Sequence, residues 1–193
     1  SEMCIRDRNK GVHPVVPRKG SLGASGDLAP LSHIALGLIG EGNVEYEGKV
    51  IPAAEAMKKA GITPVVLAAK EGLALNNGTQ MMTAVGVNVL WDAMELQKIA
   101  DLACAMTGEA LHAIKKAYDH KIHDLRGHLG QKESAENLLT LLEGSGNALP
   151  LQQSKVQDPY TLRCAPQIHG ATRDAVRYAY DMVSREINLS LIH

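Results

Sequence analysis

Three short strings carry residue types that could do chemistry. The first is Gly20-Ser21-Leu22-Gly23-Ala24-Ser25-Gly26-Asp27-Leu28-Ala29-Pro30, a glycine-rich turn leading into a helical pattern. Gly20 and Gly23 permit an unusual backbone path. Asp27 reads as a helix N-cap, with Leu28, Ala29 and Pro30 in the first turn. The positive end of that helix dipole then lies beside Ser25 and favours negative charge developing there. The second string is Leu73-Ala74-Leu75-Asn76-Asn77-Gly78-Thr79-Gln80. A helix ending in Asn-Gly presents an amide at a break, and an amide can both donate to a carboxylate and accept from an amine. The third is Val156-Gln157-Asp158-Pro159-Tyr160-Thr161-Leu162-Arg163-Cys164-Ala165-Pro166-Gln167. Its arginine has a planar fork that matches two carboxylate oxygens. Singly, each string has a plain alternative: a turn entering a helix, an Asn-Gly cap, a solvated surface charge.

Together and in this order, the strings resemble the signatures of the histidine and aromatic amino-acid ammonia-lyases. The resemblance implies that Ala24-Ser25-Gly26 cyclises on its own backbone into methylidene-imidazolone, an electrophile. The nitrogen of Gly26 attacks the carbonyl carbon of Ala24, and Ser25 loses its hydroxyl as water. A glycine suits position 26 because, without a Cβ, the chain can fold back sharply and the nitrogen is unhindered. Catalytic roles are thereby implied for Ala24, Ser25, Gly26 and Tyr160, and substrate contacts for Asn77, Gln157 and Arg163. Arg163 would take the substrate carboxylate. No metal or diffusible cofactor is implied.

The implied reaction is elimination of ammonia from L-histidine to give urocanate. The Asn-Gly-Thr-Gln and Val-Gln-Asp-Pro-Tyr-Thr-Leu-Arg-Cys strings look closer to the histidine branch than to plant phenylalanine lyases. A tyrosine or phenylalanine lyase, or an aminomutase with the same ring, is the first alternative. A non-catalytic fragment or helical assembly module is the second. The electrophile helps either by bonding to the amine or by accepting attack from the substrate's aromatic ring, and the sequence does not choose. The β-proton base is a tyrosine upstream of the ring signature in the family, outside this chain. The resemblance also implies a homotetramer in which Ser25 and Arg163 come from different subunits.

The elements that must position these residues are mostly helical. Helical spacing of Leu28, Leu31, Ile34, Ala35 and Leu38 predicts a helix over 27–39, stopped at Gly40. Weak alternation around Glu47-Gly48 predicts a hairpin over 44–51. A short helix follows over 52–60 with Gly61 as its stop. Thr63-Pro64 reads as a cap and first-turn pair opening a helix to Asn76. Thr79 opens a long helical stretch to about Tyr118. Ser134 starts a helix to about Leu142, residues 143–160 form a long loop, and a last helix covers 166–187. The expected fold is mainly α, a long-helix bundle of the aromatic amino-acid ammonia-lyase type with one short β-hairpin near the cofactor segment. Residues 1–10 and 189–193 match nothing in the family and read as a foreign or disordered head and a foreign tail. Residues 11–188 read as an interior fragment of one helical domain.

Composition bounds the remainder. The chain has 193 residues, enough for one sizeable core, and its formal net charge of -1 gives no electrostatic surface for nucleic acid. No apolar run is long enough to span a bilayer, the best candidate being broken by Lys70 and Glu71. Cys4, Cys104 and Cys164 form no metal or C-x-x-C spacing, which fits a reduced cytoplasmic setting. Phe is absent, so the core rests on Leu, Ile, Val, Ala and Met. His112, His120, His123 and His128 fit no zinc spacing and read as solvated helix and loop histidines. Lys115, Lys116 and Lys121 read as a solvated face, and His169 lies just downstream of the third string.

Overall fold

The computed structural model describes residues 2–23 and 26–189. The chain divides into two compact units, Ser1–Val85 and Gly86–His193.

The first unit holds α1 (Glu2–Asn9), β1 (His13–Pro14), α2 (Leu28–Leu38), β2 (Asn43–Tyr46), β3 (Lys49–Pro52), α3 (Ala53–Ala60), α4 (Glu71–Asn76) and the start of α5 (Gln80–Ala110). The predicted hairpin is β2–β3, antiparallel, with Val44 opposite Ile51 and Tyr46 opposite Lys49. Its turn residues Glu47 and Gly48 both have positive φ, 49° and 73°. That conformation matches the twist of the flanking strands. β1 adds a short third strand against β2. The sheet and α3 enclose a small core of Val12, Val44, Ala53, Ala56, Met57 and Ile62. α3 ends at Gly61 in the left-handed conformation, as its glycine predicts.

The helix expected from Thr63 is absent. Residues 62–68 have no regular structure, and the helix is only α4, entered through Lys70 at φ 70°. Here the Val65 amide donates to the Leu38 carbonyl at 3.0 Å, an orphan acceptor at the end of α2. A tertiary partner for the backbone thus replaces the helical one, and the β-branched pair Val65-Val66 offers little resistance. Glu71 is occupied too: its carboxylate accepts the Ala68 amide at 2.6 Å.

The second unit continues α5 and adds a 3-10 turn (Lys115–Tyr118), α6 (His120–Arg126), α7 (Leu129–Leu141), α8 (Tyr160–Arg163) and α9 (Ala165–Asn188). The long helix therefore stops eight residues before Tyr118. His112 adopts φ 52°, its amide reaches the Glu109 carbonyl at 3.3 Å, and the Ala113 amide reaches the Gly108 carbonyl at 2.8 Å. Those bonds are a Schellman stop with histidine in the place glycine usually takes. α6 and the start of α7 precede the expected Ser134 boundary, because Ser134 is buried and its hydroxyl donates to Asp101 rather than capping a helix. Residues 143–159 carry no helix or strand beyond an isolated bridge between Ile114 and Leu149, as the composition predicts.

α7 packs closely on α9. A Cβ at Gly170 would collide with the Gln131 backbone, and one at Gly130 with the Gly170 carbonyl. Only paired glycines allow this approach. The second core gathers Ala105, Tyr118, Leu138, Leu142, Ala148 and Ala165. His123 departs from the solvated reading: it is fully buried, with Nε2 at 3.1 Å from the Ala117 carbonyl and Nδ1 at 2.9 Å from Gln131 Nε2. His112, His120 and His128 are exposed. Among the described residues no group of His, Cys, Asp and Glu could hold a metal ion, and no helix is long and apolar enough to cross a membrane. Along α5, Met82, Val89, Trp91, Leu96, Ile99 and Met106 are exposed.

Candidate active site

The site residues fall into one group in each unit. In the first unit the turn before α2 has Gly20, Gly23 and Gly26 at φ 117°, 66° and 86°. Ala24 and Ser25 lie outside the described residues. Asp27 stands at the N-cap position of α2, but its side chain does not cap the helix. It is buried and accepts the Ser21 hydroxyl instead, closing the glycine-rich turn on itself. Its carbonyl begins the helix by accepting the Leu31 amide at 3.1 Å.

The same turn meets the Asn-Gly segment. The Gly78 carbonyl sits where a Cβ on Gly26 would stand. Both the positive φ and this backbone contact restrict position 26 to glycine. α4 packs against α2, and Asn76 Nδ2 donates to Ser32 Oγ at 3.1 Å. Asn77, next in the chain, ends α4 with its amide donating to the Leu73 carbonyl at 3.0 Å, and its side chain is exposed. Asn76 and Ser32 are thus the anchor that holds Asn77 at the break. Neither was singled out by the sequence; the doubled asparagine is the signal, one amide for packing and one left to solvent.

In the second unit, Gln157, Tyr160 and Arg163 lie on the loop and short turn of α8. The Arg163 guanidinium stacks 4.3 Å from the centre of the Tyr160 ring, a cation–π arrangement. Its Nε is buried without a hydrogen-bond partner, and among the described residues Arg163 forms no ion pair. Tyr160 is 68% exposed, and Gln157 is exposed as well. The stack fixes one face of the guanidinium plane and leaves its fork uncommitted, which suits a planar carboxylate.

The frame under this turn is buried. The Tyr118 hydroxyl donates to the Leu162 carbonyl at 3.1 Å. Burial, followed by the neighbouring Cys104, pushes the Tyr118 phenol well above its ordinary range, so it remains a neutral donor. Burial likewise pushes the Cys104 thiol up. Asp158 is only 3% exposed and accepts the Ile114 amide at 2.6 Å. Asp158-Pro159 is legible as a turn, but the burial of that carboxylate is not. His169 points at Asp101, with Nδ1 at 2.7 Å from its carboxylate.

A family model described as aromatic amino acid lyase matches residues 2–190, so the match takes in most of the 1–10 head that was expected to lie outside it. The chain belongs to the aromatic amino acid lyase family. Among its lyase relatives, it is 55% identical over 187 residues to histidine ammonia-lyase of Alkaliphilus metalliredigens, covering 97% of this chain and 37% of that protein. It is 58% identical over 180 residues to histidine ammonia-lyase of Alkaliphilus oremlandii, covering 93% of this chain and 36% of that one. The chain therefore spans little more than a third of the length of these lyases.

Solved structures agree on the fold. The crystal structure of histidine ammonia-lyase from Trypanosoma cruzi superposes with a TM-score of 0.82 at 37% identity, over 97% of this chain and 34% of that one. A Pantoea agglomerans phenylalanine aminomutase superposes with a TM-score of 0.88 at 32% identity, over 97% of this chain and 39% of that one. The mainly helical architecture with a small antiparallel sheet is that of the lyase family.

Proposed function

We propose that this chain is the portion of a histidine ammonia-lyase that carries the electrophile-forming turn and the carboxylate grip, converting L-histidine to urocanate and ammonia in the full-length protein. The observation that carries the reading is the seating of Gly26 against the Gly78 carbonyl. It brings the backbone of the candidate cofactor turn to the Asn77 segment, and it demands at position 26 the residue that the cyclisation needs. The preference for L-histidine is supported by identities of 55% and 58% to curated histidine ammonia-lyases.

Gly26 fits a methylidene-imidazolone made from Ala24-Ser25-Gly26, because its left-handed φ and close backbone neighbour exclude a side chain. Such a group would supply an electrophilic methylene that promotes loss of ammonia, through the substrate's amine or through its aromatic ring. The remaining work belongs to side chains. Arg163 holds the substrate carboxylate, Tyr160 braces the guanidinium and offers a hydroxyl near the amine, and Gln157 and Asn77 offer amide partners. The β-proton leaves to a base, the C–H bonding pair becomes the Cα=Cβ double bond, and Cα–N cleavage gives the departing ammonia its bonding pair.

We further read the assembly as a homotetramer, which would cover the apolar side chains that α5 exposes. A cytoplasmic setting fits the free thiols of Cys104 and Cys164. The test is the full-length protein incubated with L-histidine, L-phenylalanine and L-tyrosine, following product absorbance and intact mass. Urocanate, with a mass deficit of two waters at Ala24-Ser25-Gly26, supports the reading. Cinnamate without urocanate, or a β-amino acid, moves the substrate assignment to the phenylalanine, tyrosine or aminomutase branch. A folded protein with no mass deficit reduces the chain to a non-catalytic helical module.

Arg163→Ala in the full-length protein is expected to lower kcat/KM by about 3 kcal/mol, roughly 150-fold, through loss of two charge-assisted hydrogen bonds. Most of the change should appear in KM. An unchanged KM for L-histidine removes Arg163 from the substrate.

A further inference from the structure

We propose that Asp158, with Lys155, is the positioning staple that sets the Arg163 guanidinium for carboxylate binding; this rests on the reading of Arg163 as the carboxylate-binding residue. Asp158 is two residues before Tyr160 and five before Arg163. Its carboxylate is buried, and its two oxygens have different tasks. Oδ2 accepts the Ile114 amide at 2.6 Å, and Oδ1 lies 2.5 Å from Lys155 Nζ. That contact is an ion pair, and the hydrogen bond that Lys155 Nζ donates goes to the Leu111 carbonyl at 3.0 Å. Both hydrogen bonds reach across 44 residues to the same four-residue stretch, 111–114, where α5 stops at the left-handed His112.

The loop that carries Gln157 is therefore pinned at 155 and 158, just before the turn begins. The other end of the turn is pinned by the Tyr118 hydroxyl on the Leu162 carbonyl. Between these points Tyr160 and Arg163 project from one short turn and stack on each other. Their position is set by the backbone beneath them, because among the described residues no ion pair holds the guanidinium. Asp158 is matched by the Lys155 ammonium, so its charge is spent on the loop. Removing the carboxylate leaves the Ile114 amide buried without a partner, since the Schellman stop has no further carbonyl to offer it. The turn then loses its fixed entry point, and the guanidinium its fixed height above the substrate carboxylate. Asp158 does not touch the reacting atoms; it acts through Arg163.

The test uses full-length protein and two competitive probes that share an imidazole ring. Imidazolepropionate carries a carboxylate; histamine carries none. In Asp158→Ala, inhibition by imidazolepropionate is expected to weaken about tenfold or more, with histamine within about twofold, the scale expected for misplacing one binding group. Asp158→Asn keeps an acceptor for Ile114 but loses the charge that holds Lys155, and should fall between. Lys155→Met should do the same. The two-water mass deficit at Ala24-Ser25-Gly26 should persist in all three. If Asp158→Ala does not fold, the ratio of the two inhibition constants in Asp158→Asn and Lys155→Met decides. Equal weakening of both probes, or no change in either, overturns the proposal. Arg163→Ala separates the two claims. If it weakens imidazolepropionate while the Asp158 and Lys155 variants do not, only the positioning role falls. If Arg163→Ala leaves imidazolepropionate unaffected, both fall, since there is then no grip to position.

Discussion

Gly26→Ala is expected to abolish formation of the electrophile and to lower activity of the full-length protein on the order of 10³-fold or more, the scale of losing a covalent-catalysis group. Two independent constraints meet at this position. The backbone sits at φ 86°, where a residue with a Cβ is strained by about 1–2 kcal/mol. The new methyl would also be driven into the Gly78 carbonyl, a main-chain atom that cannot rotate away. Relief requires the turn to move off the Asn77 segment, and that movement separates the backbone proposed to cyclise from its support. Gly78→Ala is the informative contrast. Its methyl would meet the end of the Gln80 side chain, which can adopt another rotamer, and Gly78 does not have a positive φ. Intact mass of the two variants should therefore differ: no two-water deficit in Gly26→Ala, a retained deficit in Gly78→Ala. A full deficit in Gly26→Ala would show that the contact places no demand on the ring.

The turn chemistry of the chain was legible because it is local. Glu47-Gly48 announced the hairpin, Gly61 announced the end of α3, and Pro166 marked the first turn of α9; in each case the residue type and the backbone conformation are bound within a few positions. The helix break at Asn77 was legible for a related reason, since Asn-Gly ends a helix locally and Asn77 is the residue that closes α4; that the Arg163 guanidinium stacks on Tyr160 was not, because it depends on how the turn is held. What escaped are decisions made across long separations. Val65 pairs with the end of α2 and so never joins a helix. Ser134 has the composition of a cap, yet it faces Asp101. His123 has the pattern of a surface histidine, yet both ring nitrogens are committed in the core. Asp158 reads as a turn residue, and its burial against Ile114 exists only once α5 has stopped at His112. Side-chain type announced the local turns, and tertiary pairing decided which side chains would be held still.

Asp101→Ala should destabilise the protein by about 3–5 kcal/mol, the usual cost of removing one partner from a buried charged network. Asp101 lies on α5 with its side chain fully buried. Oδ1 accepts Ser134 Oγ at 2.8 Å and His169 Nδ1 at 2.7 Å, while Oδ2 accepts Asn137 Nδ2 at 2.9 Å and Arg173 Nη2 at 2.5 Å. One carboxylate thus joins α5 to α7 and α9. Deleting it strands the Arg173 guanidinium, whose Nε already lacks a partner. Burial alone would raise the Asp101 pKa, but the hydrogen bonds from Asn137, His169, Ser134 and Arg173 outweigh it and hold the carboxyl below its ordinary value. The sign of the pH dependence follows. A depressed folded-state pKa contributes stability that is present above the unfolded value near 3.9 and is lost as pH falls through the folded value. Urea unfolding should show a lower midpoint at unchanged slope for Asp101→Ala at neutral pH. For Asp101→Asn, the gap from the parent protein should narrow as pH is taken down through the carboxylate range. A midpoint within error of the parent, or a gap that widens in acid, would mean that the network does not hold the helices. Because α9 begins two residues after Arg163, the same clamp that stabilises the helices also fixes the far side of the turn from which the guanidinium projects.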